Sequence, residues 1–251
     1  MDKIRFKQSF EKEFSADRIK NSIGTLSEKT LHAVLKQYFD GDESHHEIKV
    51  GSYVADIVNE KGIIEIQTRN FNKLRNKLER FLAVSPVTIV YPVARTKWLM
   101  WIDEETGDIT RKRKSPKKGM PYEVFFELYK IKQFLTNPNL KLCIVLLDME
   151  EYRLLNGWSE DKKKGSSRYE RIPIDIVDEI HVENLSHYSR LIPADLPDPF
   201  TAKHFKASSA LSQSCAQTAL NVLHHVGAVD RVGKTGNQYL YQAGGKKPDN
   251  L

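Results

Sequence analysis

The residues of this chain that could carry chemistry concentrate between positions 53 and 69. Two short runs rich in Val and Ile lie on either side of a polar break that ends at Gly62, a pattern typical of a β-hairpin. Each run carries one carboxylate where an apolar residue is expected, Asp56 in the first run and Glu65 in the second. Glu65 and Gln67 are two residues apart, so both side chains point to the same side of their strand. Pairing of the strands brings Asp56 towards that side.

These residue types indicate a divalent-cation site. Ionised carboxylates are costly inside a sheet unless they are paired or bind a metal. Two carboxylates and one side-chain amide offer hard oxygen ligands, which suit Mg²⁺ or Mn²⁺. The alternative is a solvated hairpin edge that carries two ordinary carboxylates. For an isolated Asp…Glu-x-Gln pattern that alternative would be the better interpretation.

The neighbouring segments favour the metal site. An amphipathic helix is predicted over residues 70–83, and an apolar strand over residues 87–91 follows it. Another helix is predicted before the hairpin, and Glu28 lies in its first turn. Because Thr25 and Glu28 form the T-x-x-E pattern of a capping box, one role open to Glu28 is to cap this helix.

The order helix, hairpin with two acids, helix, strand resembles the PD-(D/E)xK nuclease superfamily over residues 23–93. Asp56 matches the motif aspartate, and residues 65–67 match the E-x-K element, with Gln67 in place of lysine and Ala55 in place of the motif proline. This variant also looks like the CoiA-like competence-protein branch. The resemblance implies an α/β fold with a restriction-endonuclease-like mixed sheet flanked by helices. It also implies Asp56 and Glu65 as metal ligands, completed by Glu28, and Gln67 as the residue that orients water.

Composition sets wider bounds. The chain has 251 residues and a net charge of +6, which is compatible with a polyanionic partner. No apolar run is long enough to span a membrane, and the N-terminus lacks the apolar core of a signal peptide, so a cytoplasmic location is predicted. Cys143 and Cys215 both lie in apolar-patterned segments and are predicted to be buried free thiols.

Basic residues form two candidate nucleic-acid surfaces. One is a face of the predicted helix after the hairpin, and the other is the segment 111–119, in which six of nine residues are basic. The default interpretation of such a face is a solvated surface. Beside a phosphodiester site, however, these cations are predicted to contact the phosphate backbone. The residues concerned are Arg69, Lys73, Lys77, Arg80, Arg111, Arg113, Lys117 and Lys118.

The C-terminal segment 199–243 is predicted to be a separate unit. A helix predicted over residues 212–226 carries Gln213, Gln217 and Asn221 on one polar face, and amide side chains can read base edges. A two-stranded hairpin is predicted after this helix, with Lys234 near its tip for a phosphate contact, and this arrangement resembles a winged helix-turn-helix. Six basic and two acidic residues from position 200 onward favour DNA. Winged helices also serve as protein-docking modules, which is the alternative.

The sequence therefore predicts an N-terminal docking helix (1–22), a nuclease core (23–93), an extension with the basic segment (94–198), a winged helix (199–243) and a disordered tail (244–251). Within the extension, residues 157–171 are predicted to be a mobile loop. The functional hypothesis is a Mg²⁺-dependent DNA endonuclease that the winged helix positions on DNA, with a homodimer or a partner protein compatible with it. The alternative is a DNA-binding protein or regulator whose nuclease fold no longer cuts. DNA and RNA both stay open as substrates.

Overall fold

The computed structural model describes residues 1–14, 29–158 and 164–244 of this α/β protein. The strands are β1 His46–Val50, β2 Tyr53–Asn59, β3 Gly62–Ile66, β4 Val87–Ile102, β5 Arg113–Lys114, β6 Leu140–Trp158, β7 Lys164–Val182, β8 Val229–Thr235 and β9 Gln238–Ala243. Helices flank a mixed sheet, in which neighbouring strands follow the order β1-β2-β3-β4-β6-β7 and β5 pairs with β4. The helices are α1 Lys3–Glu13, α2 Lys29–Phe39, α3 Arg75–Leu82, α4 Val124–Lys130, α5 Ala202–Ser209 and α6 Gln213–His225.

The chain divides into two compact units, and the long strands β4, β6 and β7 contribute a segment to each. The first unit comprises Met1–His46, Ala94–Gly119 and Val145–Asp178. The second unit comprises Glu47–Val93, Met120–Ile144 and Glu179–Leu251. The predicted metal ligands Asp56 and Glu65 therefore belong to the second unit.

In the first unit, α1 packs on α2. Asp2 caps α1, since its carboxylate accepts the backbone N–H of Arg5 at 2.9 Å. Phe6 is buried and meets the ring of Tyr38 edge to face, with the centroids 5.7 Å apart. A helix is thus present in the predicted N-terminal segment, over Lys3–Glu13.

The second unit places β2 and β3 as an antiparallel hairpin, and β3 runs parallel to β4. The hairpin turns at Gly62, whose φ of 115° suits glycine. A Cβ at this position would lie 2.4 Å from the carbonyl oxygen of Pro86, the residue that precedes β4. The absence of a side chain at Gly62 is therefore what allows β3 to start beside β4.

Helix α3 links β3 to β4 and covers the sheet with its apolar face. Phe71 and Leu74, in the turn before it, are buried together with Leu78 and Phe81, as the helical spacing predicts. Phe71 contacts the ring of Tyr91 in β4 at 5.6 Å between centroids. This packing fixes the face of α3 that looks onto β2 and β3.

The C-terminal part of the second unit contains α5, α6 and the β8–β9 hairpin. Ser212 caps α6 by accepting the backbone N–H of Cys215 at 3.2 Å. Phe205 of α5 is buried against Phe125 of α4, with ring centroids 6.3 Å apart. The hairpin is joined by Phe200, which exchanges backbone hydrogen bonds of 2.8 and 2.7 Å with Tyr241. Three extended segments and two helices thus surround one small apolar core.

Two predictions about the middle and end of the chain are wrong, and one strand is longer than predicted. The strand predicted over residues 87–91 is present and continues to Ile102 as β4, in which Pro92 lies beyond Val90, the last residue that pairs with β3. Residues 164–171, predicted as loop, belong to β7. Cys215 is half-buried rather than buried, because Ala216, Ala219 and neighbouring leucines form the core face of α6 instead. Cys143 is buried, as predicted, and both cysteines are free thiols.

Among the described residues, no helix is long and apolar enough to cross a membrane.

Candidate active site

Asp56 and Glu65 meet where the β2–β3 ladder ends. The last regular pair before them is Ile57 opposite Ile64. Beyond that pair, the side-chain carboxylates of Asp56 and Glu65, rather than backbone carbonyls, accept backbone N–H groups of the opposite strand. Asp56 Oδ2 accepts the N–H of Ile66 at 2.7 Å, and Glu65 Oε1 lies 3.3 Å from the N–H of Asp56. The sequence prediction that these two acids converge on one patch is therefore confirmed.

Lys77 supplies a cation to this patch from helix α3. Its Nζ lies 2.6 Å from Glu65 Oε2, and only 19% of the Lys77 side chain is exposed. Glu65 itself is 2% exposed. The prediction grouped Lys77 with an exposed basic face, and the structure instead turns it towards the acids. Helical spacing could have indicated this side of α3, though not the ion pair, since Lys77 lies three residues after the buried Leu74 and four before the buried Phe81.

The electrostatics of the patch leave Glu65 only partly compensated. Burial and then the charge of Asp56 raise the pKa of Glu65 to about 7, against the opposing effect of Lys77. Without a further cation, Glu65 thus holds a proton over much of the acidic range. A second positive charge near both carboxylates would favour their ionised forms.

Gln67 follows directly after β3, and its backbone N–H continues the ladder to Val90 of β4 at 2.9 Å. Its side-chain amide donates a hydrogen bond to the backbone carbonyl of Arg69. The amide nitrogen of Gln67 is therefore used within the local turn. The predicted role of Gln67 in orienting water would fall to its amide oxygen.

The remaining predicted ligand, Glu28, lies outside the described residues. Arg69, Lys73 and Arg80 are exposed, as predicted for a basic face. Arg111, Arg113, Lys117 and Lys118 are also exposed, and they belong to the first unit, while Asp56 and Glu65 belong to the second. Arg113 lies in β5, which pairs with Leu99 of β4, so the basic segment is in part a short strand.

In helix α6 the predicted amide face is only partly available. Gln217 is exposed and Gln213 is half-buried. Asn221 accepts a hydrogen bond from Lys132 Nζ at 3.1 Å, so its carbonyl oxygen is already bound within the protein. Lys234 lies in β8, where its ammonium is 4.9 Å from the ring of Tyr239. Of the three residues predicted to read bases, only Gln213 and Gln217, in the first half of α6, keep side chains without such a contact among the described residues.

Comparison with known proteins bears on the larger part of this chain. The model of a family described as a domain of unknown function, DUF8091, matches residues 29–183, which are 155 of the 251 residues. The chain belongs to the DUF8091 family. The matched residues include Asp56, Glu65 and Lys77, whereas α5, α6 and the β8–β9 hairpin lie outside the match.

One relative of this DUF8091 protein is named "Uncharacterized protein" in Treponema pallidum (strain Nichols). The two chains are 28% identical over 228 residues, which cover 88% of this chain and 87% of the relative. The similarity thus extends beyond the DUF8091 match. No solved structure matches the chain.

Proposed function

We propose that this protein is a metal-dependent endonuclease of the PD-(D/E)xK type, with its active site at Asp56, Glu65 and Lys77. The single observation that carries the proposal is the convergence of two carboxylates and one ammonium at the open end of the β2–β3 hairpin. The succession α2, β1, β2, β3, α3, β4 supports it, because it is the order on which the sequence resemblance rests.

The donor set fits Mg²⁺ or Mn²⁺. Both acids offer carboxylate oxygens, which hard divalent cations prefer. The raised pKa of Glu65 points the same way, because a cation relieves the repulsion between neighbouring carboxylates. When bound by Asp56 and Glu65, the ion would polarise the scissile phosphate and lower the pKa of an attacking water.

Lys77 offers the positive charge that Gln67 cannot. In the resembling family a lysine follows the motif glutamate by two residues, and this chain has Gln67 at that position. Lys77 reaches Glu65 from α3, and its ammonium can stabilise negative charge that develops on a phosphate beside Glu65. We therefore assign to Lys77 the charge-stabilising role and to Gln67 an uncharged, orienting one.

The segment from Thr201 to Ala243 would hold duplex DNA as a winged helix. Two helices followed by a two-stranded hairpin support this interpretation. Arg231 lies over the ring of Tyr239 at 4.4 Å, and Lys234 also approaches that ring, so the hairpin presents cations beside an exposed aromatic side chain. Such a surface suits a sugar-phosphate backbone.

The test uses the full chain on supercoiled plasmid, whose relaxation reports a single nick. Mg²⁺ or Mn²⁺ should support nicking and a chelator should stop it. Asp56→Ala and Glu65→Ala should each lower the rate by about 100-fold or more, since each removes a metal ligand. Glu60→Ala is the matched control, because Glu60 is an exposed acid in the turn of the same hairpin.

Nicking that survives Asp56→Ala, or that persists in chelator, would remove these residues from the mechanism. Asp56→Asn provides a nearly isosteric second variant, should the alanine variant fold poorly. The second candidate function is DNA binding without cleavage, favoured by the engagement of the Gln67 amide with Arg69. Salt-dependent duplex binding by a wild-type protein that never cuts would select that alternative.

A further inference from the structure

A second cluster of metal-ligating side chains lies on the facing strands β6 and β7, within the second unit. Cys143 is in β6, and Glu179 and His181 are in β7. Glu179 and His181 are two residues apart, so both project from the same side of their strand. None of the three belongs to the proposed active site.

The atoms that could bind a metal are already close together. Cys143 Sγ lies 4.0 Å from His181 Nε2, and Glu179 Oε2 lies 3.5 Å from the same nitrogen. All three ligand atoms lie within 4.8 Å of one another. Around a tetrahedral zinc ion with ordinary bond lengths, neighbouring ligand atoms are separated by about 3.3–3.6 Å. Binding would therefore draw the three ligand atoms together, by no more than about 1.5 Å for the most distant pair.

We propose that Cys143, Glu179 and His181 form a Zn²⁺ site. A thiolate and an imidazole are softer ligands than carboxylates, so this set selects zinc over magnesium. A thiolate, a carboxylate and a neutral imidazole together carry two negative charges, which balance Zn²⁺ in a largely buried place. The site is thus chemically distinct from the all-oxygen patch at Asp56 and Glu65.

The burial of the ligands is graded. Cys143 is fully buried, the Glu179 side chain is 8% exposed, and the His181 side chain is 45% exposed. A cation would therefore enter past His181 and be held from the inner side by Cys143. The backbone carbonyl of His181 accepts a hydrogen bond from Arg190 at 2.8 Å, which holds this end of β7 in place.

Three protein ligands leave one tetrahedral position open towards the exposed side of His181. That position would take a water molecule or an anionic ligand, as in zinc sites with three protein ligands. The bound ion would also tie β6 to β7. The inference is independent of the proposed nuclease activity, because no residue is shared.

The test measures metal binding to the full chain. Calorimetric titration with Zn²⁺ should give one tight site that excess Mg²⁺ does not displace. Titration with Co²⁺ should give a thiolate-to-cobalt absorption band and the visible spectrum of a four-coordinate ion. Cys143→Ser should abolish the thiolate band, and His181→Ala should weaken Zn²⁺ binding at least tenfold.

Cys215→Ser is the matched control, since Cys215 is the other free thiol, and it should retain the band. Asp56→Ala should also retain Zn²⁺ binding, which separates this site from the proposed active site. Unchanged Zn²⁺ affinity in both Cys143→Ser and His181→Ala would overturn the proposal, as would a Co²⁺ spectrum without a thiolate band. His181→Ala keeps the test decisive if the Cys143 variant folds poorly, because His181 lies at the surface.

Discussion

Glu65 and Glu151 are both glutamates buried in strands, yet their surroundings differ. Glu151 in β6 is 1% exposed and meets Lys97, Arg153 and Arg168 at 3.1, 2.7 and 3.5 Å. Burial raises the pKa of its carboxyl, but these cations together hold the pKa below its usual value. Glu65 is similarly buried, pairs with Lys77 and faces a second acid, and its pKa is raised to about 7.

The difference separates a charge that the protein satisfies itself from one that we propose binds a metal ion. Three cations around Glu151 satisfy its carboxylate within the protein, so it needs no ligand. Around Glu65 the described part of the chain supplies one ammonium, that of Lys77, for two acids, and a cation from solution would complete the balance. Burial alone therefore does not identify a site; the balance of charge around the buried group does.

The largest effect is expected from removing Glu151 from its cluster with Lys97, Arg153 and Arg168. Glu151→Ala should lower the free energy of unfolding at pH 7 by about 3–5 kcal/mol, because it leaves cations without their shared partner. Urea unfolding measures this loss, and Glu65→Ala should cost clearly less. Equal losses in both variants would mean that the two glutamates play the same structural role.

The next effect is the pH dependence of stability. The pKa of Glu65 rises from 4.5 to about 7 on folding, so the folded state binds a proton that the unfolded state has lost between these values. The associated stability is present below pH 4.5 and is lost as pH rises to about 7, by at most about 3 kcal/mol. Glu65→Gln should remove this slope in urea unfolding at a series of pH values.

Glu151→Gln is the counterpart for that measurement. Because the pKa of Glu151 is lowered on folding, its contribution is present above the unfolded pKa and lost on acidification. The two variants should therefore alter the pH profile with opposite signs. A slope between pH 5 and 7 that Glu65→Gln leaves unchanged would assign it to other groups.

A smaller effect tests Lys77 directly. Lys77→Met should raise the midpoint of Glu65 titration by about one pH unit, because its only observed cationic partner among the described residues is removed. The measurement is the carbon-13 chemical shift of the Glu65 carboxyl against pH. Lys97→Met should shift Glu151 less, since Arg153 and Arg168 stay in place. A larger shift at Glu151 would reverse the comparison.

The smallest effect concerns an exposed cation. Lys234→Ala in β8 should weaken duplex binding evenly across sequences and reduce the slope of log affinity against log salt by about one. A salt titration with a preferred and a scrambled duplex measures both. Lys7→Ala, an exposed lysine in α1, is the control. If Lys234→Ala leaves binding unchanged, the hairpin does not contact phosphate.

Much of the hairpin site could be predicted from sequence because its information is local. Period-two alternation places Glu65 on a face, and a short polar turn requires Asp56 to return beside it. The buried face of α3 followed equally from helical spacing. The sequence could not show that Lys77 lies close enough to Glu65 to form an ion pair, since that depends on how α3 crosses the sheet.

Features that depend on contacts between residues distant in sequence were not predicted, because sequence patterns report only local structure. Cys143 is separated from His181 by 38 residues, so no spacing rule joins them before β6 and β7 are known to be neighbours. The extent of β4 past Pro92 likewise depends on where its partner β3 ends. Both the Cys143–His181 contact and the length of β4 depend on pairing between strands that are distant in sequence. The residue pattern of one sequence does not predict such pairing.

The tight turn at Gly62 has a consequence for recognising other chains that share this site. A side chain at Gly62 would collide with the Pro86 carbonyl, so Gly62 cannot be replaced by another residue unless β3 moves. The resulting signature is an aspartate, a glycine six residues later, a glutamate nine residues after the aspartate and a lysine twelve after the glutamate. Relatives that keep the two acids and this lysine are expected to keep the glycine too. Distant relatives can then be sought by the spacing of these four residues.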